Sequence, residues 1–226
     1  MRSSRLALIC SAIVLVAASV PASAAPVRFN DRAAWTAAAT DITTLTFEGI
    51  APVGSFVNFV NGPLDVGGVV FTTIPNTGLF VVDPAFAPTF FDWGSGAVLN
   101  FDSSGPLAVM TATLPAGISA VGFDVMTFQE PPPFASTVNI EVNDGGTTSF
   151  NVQTDELPFR TFFGVIAASP ITSITISGIT LGINVDNFSY GKAREGPPPH
   201  IPEPSTVILL GFGLLRLRAR VTSRRK

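Results

Sequence analysis

The 226-residue sequence predicts an all-β protein: an antiparallel sandwich carrying one short N-terminal helix and followed by a C-terminal membrane helix. Three observations lead there. Between Ile42 and Tyr190 apolar and β-branched residues recur in short runs with a period of two; twenty Gly and nineteen Pro interrupt those runs at sandwich-like spacing; and an Ala-rich helical stretch occurs once. Heptads, a dinucleotide fingerprint and a clear internal repeat are absent from the sequence.

At the N-terminus, Arg2 and Arg5 precede an apolar run from Leu6 to Val20 that closes on Ala22-Ser23-Ala24. This is the layout of a signal peptide over residues 1–24, with cleavage expected before Ala25. It implies Sec-type export and signal peptidase as partners. The one cysteine, Cys10, falls inside the segment to be removed, so the mature chain has no disulfide and its stability must come from burial.

The sandwich is expected over residues 25–191. Asn30 or Asp31 ahead of Arg-Ala-Ala-Trp-Thr-Ala-Ala-Ala reads as an N-cap and one short helix, expected to be the only helix of the domain. A first strand starts at Ile42. Further strands are expected at Gly68–Ile74, Leu79–Val82, Ala97–Phe101, Ala108–Leu114, Ala120–Met126, Thr137–Asn143, Thr148–Gln153, Thr161–Ile166, Ile171–Ser177 and Ile183–Tyr190. Val138, Ile140 and Val142 alternate with Asn139, Glu141 and Asn143, and Asp144-Gly145-Gly146 supplies the positive φ angles of a tight hairpin. Phe123 is expected on a central strand, facing the core.

Charge and inventory exclude several functions. Residues 25–191 hold three arginines, Arg28, Arg32 and Arg160, against fourteen acids, a balance of −11. So acidic a domain has no footprint for phosphate backbones, which argues against nucleic acid and suits divalent cations or neutral ligands. The single histidine, His200, lies in a Pro-rich linker, so Ser-His-Asp and Cys-His triads and histidine-rich zinc sites are ruled out. What remains for catalysis is a carboxylate pair, which a glycan hydrolase would need about 5 to 9.5 Å apart. None of the fourteen acids sits in a recognisable signature, and the reading is therefore non-catalytic.

Residues 192–204 form a Pro-rich linker ending in Pro202, Glu203 and Pro204. Residues 205–226 combine an apolar run, Val207–Leu215, with Arg216, Arg218, Arg220, Arg224, Arg225 and Lys226. Six cations after an apolar segment belong on the cytoplasmic side of a membrane. Nine residues at about 1.5 Å each reach about half of a hydrocarbon core, so a full span must draw in Ser205, Thr206, Leu217, Ala219 and Val221 with two arginines snorkelling. The conjunction of tripeptide, short helix and basic end closely resembles the PEP-CTERM sorting signal of Gram-negative bacteria. That resemblance implies recognition by an exosortase, cleavage near the tripeptide, and release to the cell surface or extracellular matrix.

Short phrases within the domain resemble the β-sandwich ectodomains that precede such tails: Arg32-Ala33-Ala34-Trp35, Thr46-Phe47-Glu48-Gly49, Val69-Val70-Phe71, Ala120-Val121-Gly122-Phe123-Asp124, Phe162-Phe163-Gly164-Val165 and Val185-Asp186-Asn187-Phe188. These domains resemble the jelly rolls of carbohydrate-binding modules. In such modules a structural Ca²⁺ ties first strand to last, which implies Glu48, at the end of the first strand, with Asp186 and Asn187 in the last. The alternative is that Glu48 and Asp186 are rim residues paired with Arg32 or Arg160. Phe90, Phe91, Asp92 and Trp93 bring flat aromatics beside a carboxylate, as in sugar-gripping sites, and exopolysaccharide is the ligand this suggests. The same loop could equally fold its aromatics onto the sandwich as a satellite core. The three functional classes carried forward are a non-catalytic glycan binder of the biofilm matrix, an inert structural matrix protein, and a carboxylate-dependent glycan hydrolase.

Overall fold

A computed structural model describes residues 24–60, 63–92, 94, 96–105, 107–128, 135–155, 159–179 and 182–195. The signal segment, the Pro-Glu-Pro motif, the apolar tail and Trp93 lie outside the described residues. Among the described residues no helix is long and apolar enough to cross a membrane.

In chain order the strands are β1 (Val27–Phe29), β2 (Ala39–Leu45), β3 (Phe56–Asn58), β4 (Leu64–Val66), β5 (Val69–Thr73), β6 (Thr77–Val82), β7 (Val98–Ser103), β8 (Ala108–Thr113), β9 (Ala120–Phe128), β10 (Thr137–Asn143), β11 (Thr147–Gln153), β12 (Thr161–Ile166), β13 (Ser173–Gly178) and β14 (Gly182–Ala193), with helices α1 (Arg32–Ala38) and α2 (Pro88–Phe91). They make two antiparallel sheets. The larger runs β1-β12-β9-β14-β7-β6-β3, with β2 also on β14; the smaller runs β11-β10-β13-β8-β5-β4. From β7 to β14 the chain passes from one sheet to the other at each step except the β10–β11 hairpin, so successive runs bury their apolar faces against each other.

The core between the sheets is aromatic at its centre. Phe188 stacks on Phe123 at 5.5 Å and meets Phe71 edge-on at 5.3 Å, and Phe47 meets Phe71 at 5.8 Å. Phe123 is fully buried on β9, the strand paired on both sides by β12 and β14. The hairpin forms as read: Gly145 has φ +98°, and β10 pairs β11 from Thr137↔Gln153 to Asn143↔Thr147.

The outer face of the large sheet is clad twice. Asp31 caps α1, its Oδ1 accepting the Ala34 N–H at 2.7 Å. The helix lays Trp35 over β9 and β12, where Gly122 and Gly164 leave room for the indole. Farther along the same face, Phe91 packs on Val82, Val98 and Met126. The small sheet presents uncovered hydroxyls instead, with Thr111 and Thr175 bonded side by side at 3.0 Å.

Three expectations need correction. The chain holds a second helix, α2, started by Pro88 where the fixed φ suits the first helical position. Three strands were not anticipated: β1, β3 and β4 have three residues each, too few to display alternation. Glu48 does not end the first strand, because β1 precedes α1 and β2 stops at Leu45, before a turn over residues 48–50.

Candidate binding cleft

Of the aromatic loop, Phe91 is buried and Phe90 half-buried, both turned onto Val82, Val98 and Met126. The arrangement follows from hydrophobicity: the outward residues of β6, β7 and β9 at this place are apolar and need cover. The loop also satisfies buried amides beneath it, since Asn184 Nδ2 donates to the Phe90 carbonyl at 3.4 Å and receives support from Asn100, whose Nδ2 donates to Asn184 Oδ1 at 2.7 Å. Asp92 is exposed and accepts the Gly94 N–H at 3.0 Å. No ring face of Phe91 is therefore open to a sugar.

Asp186 and Asn187 sit where β14 shifts register against β9, between Asp186 and Ser189. Asn187 takes up the bulge with φ +48°, a conformation asparagine tolerates better than most residues. Asp186 stands opposite Asp124 in the β9 register. Into this acidic spot α1 delivers Arg32. Its Nη2 donates to Asp124 Oδ1 at 2.9 Å and its Nη1 to Ser189 Oγ at 3.2 Å, while the guanidinium lies 4.6 Å over the Phe162 ring. Asn187 Nδ2 donates to the other oxygen of Asp124 at 2.9 Å. Glu48 is elsewhere engaged: its Oε1 accepts the Ala97 N–H at 2.8 Å, in space left by Gly96, whose φ is +92°.

As placed, Glu48, Asp186 and Asn187 do not fit calcium. The ion needs six to eight oxygens. Among the described residues no group of three or more His, Cys, Asp or Glu converges to hold a metal. The positive charge beside Asp124 is a guanidinium.

The feature not anticipated from sequence is a cleft of about 480 Å³ between the ends of the sheets, lined by Arg28, Asn30, Asp31, Arg32, Gln153, Asp155, Arg160, Thr161 and Phe162. All three arginines of residues 25–191 reach it. Arg28, on edge strand β1, spans to the other sheet by donating from Nη1 to the Asn151 carbonyl at 3.1 Å, while its buried Nε has no partner among the described residues. Arg160 approaches Asp124 Oδ2 at 3.6 Å, a charge contact longer than a hydrogen bond. Asp155 is folded onto Thr161, accepting its hydroxyl at 3.1 Å.

A second groove, about 620 Å³, runs past Phe59, Thr73, Ile74, Asn76, Thr77 and Asp102. Burial pushes the Asp102 carboxyl above its ordinary range, opposed by a backbone hydrogen bond. Among the described residues no other acid lines that groove.

No family model and no curated protein matches the chain. Among solved structures, TmCBM61 in complex with β-1,4-galactotriose is similar at TM-score 0.37 and 16% identity, covering 56% of this chain and 89% of that one. The CBM22-1 xylan-binding domain from Paenibacillus barcinonensis aligns at 0.40 and 8% identity, covering 65% and 97%. The K2 cleaved adhesin domain of Lys-gingipain aligns at 0.36 and 12%, covering 66% and 98%. Likeness at this level concerns the arrangement of the chain alone.

Proposed function

We propose that this protein is an exported, exosortase-sorted component of the cell surface or extracellular matrix whose sandwich binds glycan without cleaving it, the glycan entering the cleft of Arg28, Arg32 and Arg160. The observation that carries the reading is the mixed lining of that cleft. Guanidinium and amide donors from Arg28, Arg160, Asn30 and Gln153 stand beside carboxylate and hydroxyl acceptors from Asp31, Asp155 and Thr161. A sugar hydroxyl is donor and acceptor at once, so it needs both kinds within one site.

Absence of catalysis is supported by how the acids are used. Asp124 is held by Arg32 and Asn187, and Asp155 by Thr161, so both side chains are engaged within the protein. Burial raises the proton affinity of Asp102, but among the described residues its groove has no second carboxylate to complete a hydrolytic pair. Sorting rests on the sequence pattern of Pro202, Glu203, Pro204 and the basic tail.

Polysaccharide pull-down with the full-length protein, paired with an assay of reducing-sugar release, tests the ectodomain. Retention without release is expected. Release would favour the hydrolase, and neither retention nor release would leave an inert matrix protein. Intact-mass measurement of protein shed by the producing cell tests the sorting: a chain from Ala25 to near the tripeptide is expected, and Lys226 still present on shed material would overturn it.

A further inference from the structure

We infer that the cleft selects an acidic sugar, a uronate residue of an anionic polysaccharide, with Arg160 and Arg28 gripping its carboxylate; this rests on the glycan-binding reading above. The first ground is the distribution of charge. Fourteen acids and three arginines occupy residues 25–191, and chance would scatter the arginines over the surface as partners for those acids. Instead all three reach one concavity. An anionic polymer is repelled by the rest of such a domain, and a single basic cleft in an acidic surface gives it one place to dock and one register.

The second ground is that Arg160 and Arg28 are not consumed by the acids beside them. Arg32 is: it bonds Asp124 and Ser189 and lies on Phe162. Among the described residues Arg160 makes one charge contact, at 3.6 Å, and it keeps about a third of its side chain exposed, 34%. Among the described residues Arg28 has one side-chain hydrogen bond, from Nη1, and its guanidinium lies 5.9 Å from the Phe163 ring centroid; its buried Nε is out of a ligand's reach, so what it offers the cleft is its charge and its remaining Nη donors. A guanidinium carries five N–H donors in a planar fork that matches the two oxygens of a carboxylate. Asp31 and Asp155, also lining the cleft, argue against a plain anion such as phosphate, which they would repel. They suit a ligand that carries hydroxyls next to its negative charge, as a uronate ring does: carboxylate toward the arginines, ring hydroxyls donating to the aspartates.

The test is calorimetric titration of the full-length protein with alginate oligosaccharides, with the same oligosaccharides after carboxyl reduction, with dextran sulfate and with poly-glutamate. Alginate should bind, and its carboxyl-reduced form at least about tenfold more weakly, the size of one lost charge-assisted pair. Arg160→Gln should weaken alginate by a similar factor and leave any residual binding of the reduced form unchanged. Arg28→Gln should act in the same direction; Arg160, being at the surface, decides alone if the Arg28 variant unfolds. Equal binding of alginate and its reduced form would overturn the acid-sugar inference and leave the glycan reading standing. Binding of neither would remove both. Dextran sulfate or poly-glutamate binding as tightly as alginate, with all three falling in parallel as NaCl is raised, would mean diffuse attraction and would also overturn the inference.

Discussion

Gly122 on β9 and Gly164 on β12 stand directly opposite each other, and the indole of Trp35 lies across both. The pair makes a flat bed in the outer face of the large sheet, and α1 is docked by filling it. Trp35 Nε1 then donates to the Val165 carbonyl at 3.3 Å, fixing the ring in its plane. Docking α1 is also what aims Arg32, on its first turn, at Asp124. Packing on a pair of glycines thus sets the geometry of the cleft.

Replacing Gly164 by Ala puts a Cβ 2.7 Å from Trp35 Cδ1, closer than carbon atoms approach, whereas at Gly122 the same Cβ stands 3.1 Å from the indole. Gly164→Ala should therefore cost about 1 to 3 kcal/mol by overpacking, and Gly122→Ala less. Denaturant melts of the two variants check the order; equal, negligible losses would mean that α1 is not held by this contact.

Phe123 stacks on Phe188 at 5.5 Å with ring planes 6° apart and is also 5.4 Å from Phe163, with no exposed surface. Phe123→Ala should cost about 3 to 5 kcal/mol through lost burial and a residual cavity. Because a single cysteine, Cys10, can form no disulfide within the chain, reducing agent should leave the melting temperature of wild type and variant unchanged. A loss below about 1 kcal/mol would contradict the central packing of this ring.

Asp102 gives a pH dependence of defined sign. Burial raises its folded pKa above the unfolded one, so the folded state binds the proton more tightly. Its contribution is unfavourable at neutral pH, and the penalty is relieved as pH falls through the raised folded pKa toward the ordinary value. Asp102→Asn removes the charge, so the variant should melt higher than wild type at pH 7, with the gap narrowing toward pH 4. Melting curves across that range check it. A gap that widens on acidification would mean that Asp102 is stabilising as the carboxylate.

How much of this was legible in advance depended on the range of the signal. Val138, Ile140 and Val142 are two residues apart, and the strand they form, β10, appeared where alternation placed it. Asp31 and the Ala-rich run are contiguous, so α1 was readable too. Of the three-residue strands, β4 pairs its neighbour β5 across Gly67-Gly68 and is only too short to show alternation, whereas β1 and β3 owe their pairing to partners farther along the chain, such as Arg28 opposite Val165. The cleft was hidden for the same reason. Arg28, Arg32 and Arg160 meet because β1 pairs with β12 and α1 lies on β9, and long-range registers have no trace in composition. Phe90 and Phe91 illustrate a different limit: an aromatic pair in a loop reads alike whether it grips a sugar or covers Val98 and Met126, and what decides is the apolar bed on neighbouring strands.

The carboxylates at the β14 bulge allow calcium and arginine to be told apart. Asp124 and Asp186 stand opposite each other on β9 and β14, and like charges so placed need a cation. Arg32 supplies one, with Nη2 2.9 Å from Asp124 and its side chain 35% exposed, while Glu48 is bonded to Ala97. Chelator should therefore move the wild-type melting temperature by less than about 1 °C, whereas an ion specific to the folded state at one hundred times its dissociation constant would add about 2.7 kcal/mol, a shift of several degrees. Arg32→Gln should cost about 1 to 3 kcal/mol, since it leaves Asp124 largely buried with only the longer contact to Arg160, at 3.6 Å, as a charged partner. The loss should be greatest at low salt, where the two carboxylates are least screened. A chelator-induced fall in wild type that both Glu48→Gln and Asp186→Asn abolish would instead establish calcium between Glu48 and Asp186, with Glu48 released from Ala97 to reach it.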